Sequence, residues 1–202
     1  MLQDKATALA VQEQEAQKVL HLASHACFLA DTEKEKNNEL PVQQFQSNRT
    51  PLPRVSLGEI QLLRNGIVLA GANQPDANSK DDGYLTALEV AKLDWQGTVM
   101  VVVSGCESGK GEIEAGEGVY GLKRAIAVAG ARSSLLSLWK VGDVATAAFM
   151  KSFYQRLKKG EGRADALAAT QKEFRAHRIP GWRHPYLWAT FQLSGDWKPI
   201  KW

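Results

Sequence analysis

The chain has 202 residues, 44% of them hydrophobic and 23% charged, which is enough for one sizeable soluble domain with a real core. A formal net charge of +3, from 25 basic and 22 acidic residues, gives no basic excess of the kind nucleic acid requires, and no Lys/Arg run stands out. The opening MLQDKATALAVQEQEAQ is polar and acidic, unlike a signal or transit peptide, no apolar run is long enough to cross a membrane, and two cysteines point to a reducing, cytoplasmic setting and not to a disulfide framework.

Met1 to Gln17, rich in Ala, Gln, Glu and Lys, predicts a helix, and Val19 to His25 (VLHLASH) a mostly apolar strand. Residues 31–54 hold EKEKNNE and three prolines and are expected to form an exposed polar loop. LGEIQLL is expected as a helical turn. GIVLAGA and Tyr84-Leu85 are expected to pair as a hairpin with a long loop. Thr86 followed by Glu89 fits a capping box opening a helix to about Leu93.

Thr98 to Val103 is a continuous branched apolar run around Met100, suited to a strand buried on both faces. Glu117 to Ala129 predicts a helix closed by Gly130, and Ser133 to Trp139 the next strand. Asp143 is expected to cap a long helix ending at Gly160, and Ala164 to His177 forms another. Pro180-Gly181 breaks the pattern, and Tyr186 to Leu193 is expected as an aromatic-rich strand. Strands alternating with helices imply a three-layer α/β sandwich with a mostly parallel sheet, in a single domain without internal repeats.

Ligands of open α/β sheets bind beyond the carboxyl ends of the strands. Two strands here finish in chemically capable residues, VLHLAS in His25 and VMVVVSG in Cys106. A thiol facing an imidazole across such a rim is the minimal apparatus for nucleophilic attack on an acyl group. The backbone N–H groups of Ala26 and Cys106 are the natural oxyanion donors, and Gly105 and Gly109 leave room for a substrate backbone. Each residue taken singly also reads as packing or as a structural hydrogen-bonding group. Cys27, two residues from His25, is badly placed to face it and is expected to pack. His21, in mid-strand, and His177, at a helix end, are expected to be structural.

HLASHACF resembles the HxATHG motif of the CHAT domain family, and VVVSGCESGKGE resembles its LSACxTGxG motif. The likeness continues through GEGVYGLKRAIAVAGARSSLLSLWKVGDVATAAFMKSFYQRL, includes DGYLTALEVAKLDW, and closes with HPYLWATFQLSGD. It covers roughly Leu20 to Asp196 with the motifs in order. It implies a caspase-like fold of the caspase, separase and gingipain group, often associated with TPR repeats. The implied activity is a cysteine endopeptidase with His25 and Cys106 as the dyad, with no metal or cofactor in the chemistry. The His-to-Cys spacing exceeds the roughly 50 residues of caspases, which fits the polar loop and hairpin between them.

The resemblance also implies that the loop after the Ser133–Trp139 strand lines the pocket for the residue before the scissile bond. Ser137, Trp139 and Asp143 are then substrate-binding, with Asp143 receiving a basic side chain. The competing role of Asp143 is the helix cap. KGEIEAGEG reads either as a solvated loop or as an activation loop. Tyr186 and Trp188 are expected in the core, with His184 holding their turn.

There are two departures from the family pattern. The Gly after the catalytic His is Ala26 here, and the chain starts one helix before the His strand, where caspase-like sheets normally have about two strands more. The expectation is a domain truncated at its N-terminus. Its sheet edge would be completed by another chain, by a TPR-containing protein or by self-association. The second reading of function is a weak or inactive CHAT module acting in protein interaction or regulation. The third is an α/β cysteine hydrolase acting on small amides.

Overall fold

The computed structural model describes residues 5–14, 16–28, 62, 65–72, 81–105, 117–139 and 141–202, with the backbone alone for 25–28 and 117–120. Cys106, Gly109, the polar loop 31–54 and the run KGEIEAG therefore lie outside the described residues, as does all but Leu62 of the LGEIQLL turn.

The elements in chain order begin with α1 (Ala8–Gln12), β1 (Val19–Leu22), β2 (His25–Phe28), β3 (Asn65–Val68), β4 (Tyr84–Thr86), α2 (Ala87–Val90) and β5 (Met100–Val103). They continue with α3 (Glu117–Val128), β6 (Ser133–Ser137), α4 (Asp143–Lys158), α5 (Arg163–Arg175), a 3₁₀ turn (Pro180–Arg183), α6 (Pro185–Trp188) and β7 (Phe191–Gly195). Among the described residues, β1, β5 and β6 run parallel and β7 antiparallel, in the order β1-β5-β6-β7. A second sheet, β2-β3-β4, is antiparallel.

The mixed α/β sandwich with a mostly parallel sheet follows from how β5 is written. Its Val101 and Val103 face a core with Leu20, Leu22, Ile67, Leu85, Trp95, Leu122 and Ile126. Its Met100 and Val102 face a second core with Leu135, Phe149, Phe153, Leu157 and Phe174. A strand buried on both faces needs apolar residues at every position, and MVVV supplies them. Helices α4 and α5 cover one face, and α1, α2, α3 and the hairpin cover the other.

The β3/β4 hairpin and the positions of α2, α3, α4 and α5 agree with the sequence reading. The capping box is complete: Thr86 Oγ1 accepts from the Glu89 N–H at 3.2 Å, and Glu89 Oε2 accepts from the Thr86 N–H at 2.9 Å. Gly130 follows α3 at φ +100°, a conformation that L side chains rarely adopt.

Five expectations need correction. The first helix is limited to Ala8–Gln12, because only Ala8 and Val11 find the core; Met1–Asp4 and Glu15 lie outside the described residues. The strand expected through His25 stops at Leu22. His25 opens β2 instead, pairing with Val68 in the second sheet, and the Ser24 hydroxyl donates to the Val68 carbonyl at the junction. The strand expected from Tyr186 starts at Phe191. Pro185 sits at the first helical position after the His184 cap, so PYLW makes a short helix. Tyr186 is consequently 53% exposed, not in the core. Finally, the N-cap of α4 is Gly142; Asp143 is the first helical residue, exposed, in the turn where a carboxylate suits the helix dipole.

Candidate active site

The parallel strands β1, β5 and β6 share one direction, so Leu22, Val103 and Ser137 end at one rim. The β1–β5 ladder pairs Val19 with Met100 and Leu22 with Val103, an offset of 81 residues. It extends one step further, because the Ser104 N–H donates to the Leu22 carbonyl at 3.2 Å. Ser137, 2% exposed, donates its hydroxyl to the Val103 carbonyl at 3.3 Å and so buttresses the end of β5.

Beyond β6 the chain is tied to the segment before β7. The Leu138 N–H donates to the Thr190 carbonyl at 2.8 Å, and Thr190 Oγ1 donates to the Trp139 carbonyl at 3.1 Å. The Trp139 ring stacks on Tyr186 with centroids 5.7 Å apart and 27° between planes. Trp139 Nε1 also donates to the Tyr186 carbonyl. An aromatic pair thus stands at the rim, with Asp143 exposed four residues further along the chain. The His184 turn behaves as its sequence suggests: Nδ1 accepts from the Tyr186 N–H at 3.2 Å.

Of the residues singled out from sequence, Ser137 ends β6 at this rim, Trp139 lies two residues beyond it, and Asp143 is the first residue of α4. His25 and Ala26 follow β1 at the same end but belong to β2, where Ala26 lies opposite Ile67. Ala26 is therefore a strand residue and not part of an open loop. Cys106 lies three residues past the end of β5, beyond the described residues.

One polar cluster at the rim centres on His21, expected from sequence to be structural, and its partners Ser104 and Tyr154 were not singled out. His21, on β1, shares a hydrogen bond between Nε2 and Ser104 Oγ at 2.8 Å. Its Nδ1 shares another with the Tyr154 hydroxyl on α4 at 3.0 Å. The residue keeps exposed surface, yet its ring sits against Tyr154 and is desolvated enough to lower its pKa below 6.5. The ring's immediate surroundings govern its titration more than the residue's total exposure does. Burial likewise raises the Tyr154 pKa, so the phenol stays protonated. A neutral imidazole offers one donor and one acceptor, and the two hydroxyls adapt to either tautomer. The available signal in sequence was a polar residue at each of two positions in otherwise apolar strands, His in VLHL and Ser closing MVVVS.

An α/β sandwich with a mostly parallel four-stranded sheet is consistent with a caspase-like architecture. The chain belongs to the CHAT domain family, a caspase-like, peptidase-related family whose model matches residues 1–196. Among curated proteins it is similar to human "Tetratricopeptide repeat protein 28", with 36% identity over 126 residues. That match covers 62% of this chain and 5% of the relative. The mouse protein of the same name is 32% identical over 97 residues, covering 48% of this chain and 4% of its own length. The family's association with TPR proteins is thus shown, while the chain spans only a small part of these relatives.

No helix among the described residues is long and apolar enough to cross a membrane.

Proposed function

We propose that this domain is a cysteine endopeptidase acting through Cys106 as nucleophile and His25 as general base and acid. The observation that carries the reading is the β1–β5 register: its offset of 81 residues equals the separation of His25 from Cys106. Both residues lie three positions along the chain from strand ends, Leu22 and Val103, that pair with each other, which supports a shared site for the two.

In the reaction, the imidazole removes the thiol proton and the thiolate sulfur bonds to the carbonyl carbon of the scissile peptide. Backbone N–H groups of Ala26 and Cys106 would hold the oxyanion. The tetrahedral species collapses, the C–N bond breaks, and the imidazolium returns its proton to the leaving amine. A water, deprotonated by the same imidazole, then cleaves the thioester. Trp139 and Asp143 would meet the residue before the scissile bond. Because Gly142 takes the cap position, the Asp143 carboxylate is not committed to capping, which favours a basic side chain there. Ser137 would act from beneath, through the end of β5.

The test is labelling with a peptide electrophile ending in Arg, with the modified residue located by mass spectrometry. Cys106 should react and Cys27 should not, and His25→Ala should slow the reaction at least tenfold. Equal labelling of both cysteines, unchanged in His25→Ala, would falsify the dyad.

A second reading, a non-catalytic interaction or regulatory module, draws support from Ala26. In place of the family's Gly it is a paired strand residue, less free to turn an N–H toward an oxyanion. An enzyme whose Cys106→Ala variant produces the same new protein N-termini in cell extract as wild type would favour this module. β1 lies at the sheet edge among the described residues, and pairing there with another chain or a second copy belongs to either reading. Concentration-dependent sedimentation tests it, and a monomer at all concentrations removes the second copy. A cytoplasmic setting, proposed from the two cysteines, is checked by fractionation of cells.

A further inference from the structure

We propose that His21 is a positioning residue for the His25–Cys106 dyad, a neutral bridge that fixes the end of β5 by tying Ser104 to Tyr154. The inference rests on the peptidase reading above. His21 is paired with Val102 in the β1–β5 ladder, and its ring reaches forward along the strand to Ser104. Ser104 is the last position before Gly105 and the nucleophile. It is held twice: by its own N–H on the Leu22 carbonyl and by its side chain on His21 Nε2. Tyr154 holds the opposite nitrogen from α4, and the phenol and imidazole rings are 5.7 Å apart.

A bridge at this place has a purpose that packing alone does not serve. Past Ser104 the chain leaves the sheet, and a glycine follows with no side chain to restrain it. The direction in which the chain departs is set at Ser104. Three elements meet on one imidazole: β1 leading to His25, β5 leading to Cys106, and α4, whose first turn carries Asp143. An apolar residue at position 21 would fill space but leave Ser104 and Tyr154 without their shared partner. A protonated imidazole would offer two donors at the cost of a desolvated charge. The neutral ring is the form that suits both hydroxyls.

The experiment measures the rate of Cys106 alkylation by the peptide electrophile in the full chain, for wild type, Tyr154→Phe, Ser104→Ala, their double variant, His21→Leu and His21→Gln. Each single hydroxyl deletion is expected to slow the reaction about three- to tenfold, the range of one lost hydrogen bond. Because both hydroxyls act through one imidazole, the double variant should be slowed much less than the product of the two singles. His21→Gln, which keeps one donor and one acceptor on a side chain of similar reach, should recover a large part of the rate lost in His21→Leu. A merely structural role would show equal loss for Gln and Leu, and independent effects in the double variant. Either result overturns the proposal, as do single variants that react at the wild-type rate. His25→Ala in the same series separates the two levels. If it is slowed while the Tyr154 and Ser104 variants are not, the bridge falls and the dyad stands. If it reacts like wild type, the dyad falls and takes the bridge's role with it.

Discussion

Replacing Arg163 with Met removes a guanidinium and keeps most of the volume of its stem. Arg163 opens α5 and is 1% exposed. Its Nε donates to the Lys198 carbonyl at 2.8 Å, and one terminal nitrogen donates to the Val99 carbonyl at 2.9 Å and to Ser133 Oγ at 2.8 Å. The other terminal nitrogen pairs with Asp196 Oδ2 at 2.7 Å. Not all of these count equally. The Asp196 side chain is 32% exposed and keeps the Lys198 N–H at 3.0 Å, so water can take the vacated oxygen and the ion pair is worth little. Ser133 keeps its own donation to the Val99 carbonyl at 2.8 Å. What remains is the loss of two charge-assisted bonds to backbone carbonyls. At the low end of their usual worth, about 1.5 kcal/mol each, Arg163→Met should lower stability by about 3 kcal/mol. Arg163→Ala should lower it further by opening a cavity. Equilibrium urea unfolding measures both. A Met variant within about 1 kcal/mol of wild type would refute the reasoning, and would mean that desolvating the guanidinium already offsets its bonds. Under native conditions the alkylation rate of Cys106 should not change, because these bonds lie at the opposite end of the sheet.

The Asp196 carboxyl is held below its usual pKa of 3.8 by the Lys198 N–H and then by Arg163, against desolvation. Its stabilisation is therefore complete well above pH 3.8 and is lost as pH falls through that value toward the folded pKa. The gap in urea midpoint between wild type and Asp196→Asn should close across that window, and a gap that widens on acidification would contradict the assignment. Thr86→Ala removes one side of the capping box and should cost about 1 kcal/mol by the same unfolding assay. Gly130→Ala should cost more than about 2 kcal/mol, because φ is +100° and the added Cβ would lie 2.7 Å from Gln96 Cγ and 3.1 Å from the Gln96 nitrogen. Asp143→Lys should abolish any preference for a basic residue before the scissile bond in a peptide-library assay, with stability lowered by less than about 1 kcal/mol at the helix N-terminus.

The parts of the fold that could be read from sequence are those where one physical rule acts alone. The run MVVV had to be buried on both faces, Thr86 with Glu89 had to start a helix, and a left-handed Gly130 had to end one. The misreadings fall where two rules compete. VLHLASH is apolar enough for a strand throughout, but no residue in it announces that the chain changes sheets between Leu22 and His25. That change is a tertiary event, marked by the Ser24 bond to Val68 on a strand some forty residues away. Tyr186 to Leu193 has strand-like composition, and Pro185 overrides its first part. At the site, Ser137 closes β6 as its sequence suggests, whereas His25 opens β2 and does not end β1. His21 was expected to be structural, and its hydrogen bonds agree, but a mid-strand position hides which face and which neighbours it meets. Its partners, Ser104 and Tyr154, are 83 and 133 residues distant in sequence.

Strand direction explains how the buried Arg163 clamp and the candidate site come to lie at opposite ends of the sheet. β1, β5 and β6 all point the same way, so their carboxyl ends and the loops that follow gather at one rim. β7 runs back against β6, pairing Phe191 with Ser137 and Gly195 with Ser133. Its start is thus beside Trp139 at the carboxyl-end rim, and its end carries Asp196 and Lys198 to the far rim. There Arg163 reaches the beginnings of β5 and β6, through Val99 and Ser133, together with the returning tail. One antiparallel strand therefore links a buried, fully bonded clamp at the amino ends to the Trp139–Tyr186 pair at the carboxyl ends. The clamp can hold the sheet while residues at the other rim, Asp143 and Tyr186 among them, stay exposed. Changes at the clamp should then move the unfolding midpoint, and changes at the rim the reactivity of Cys106.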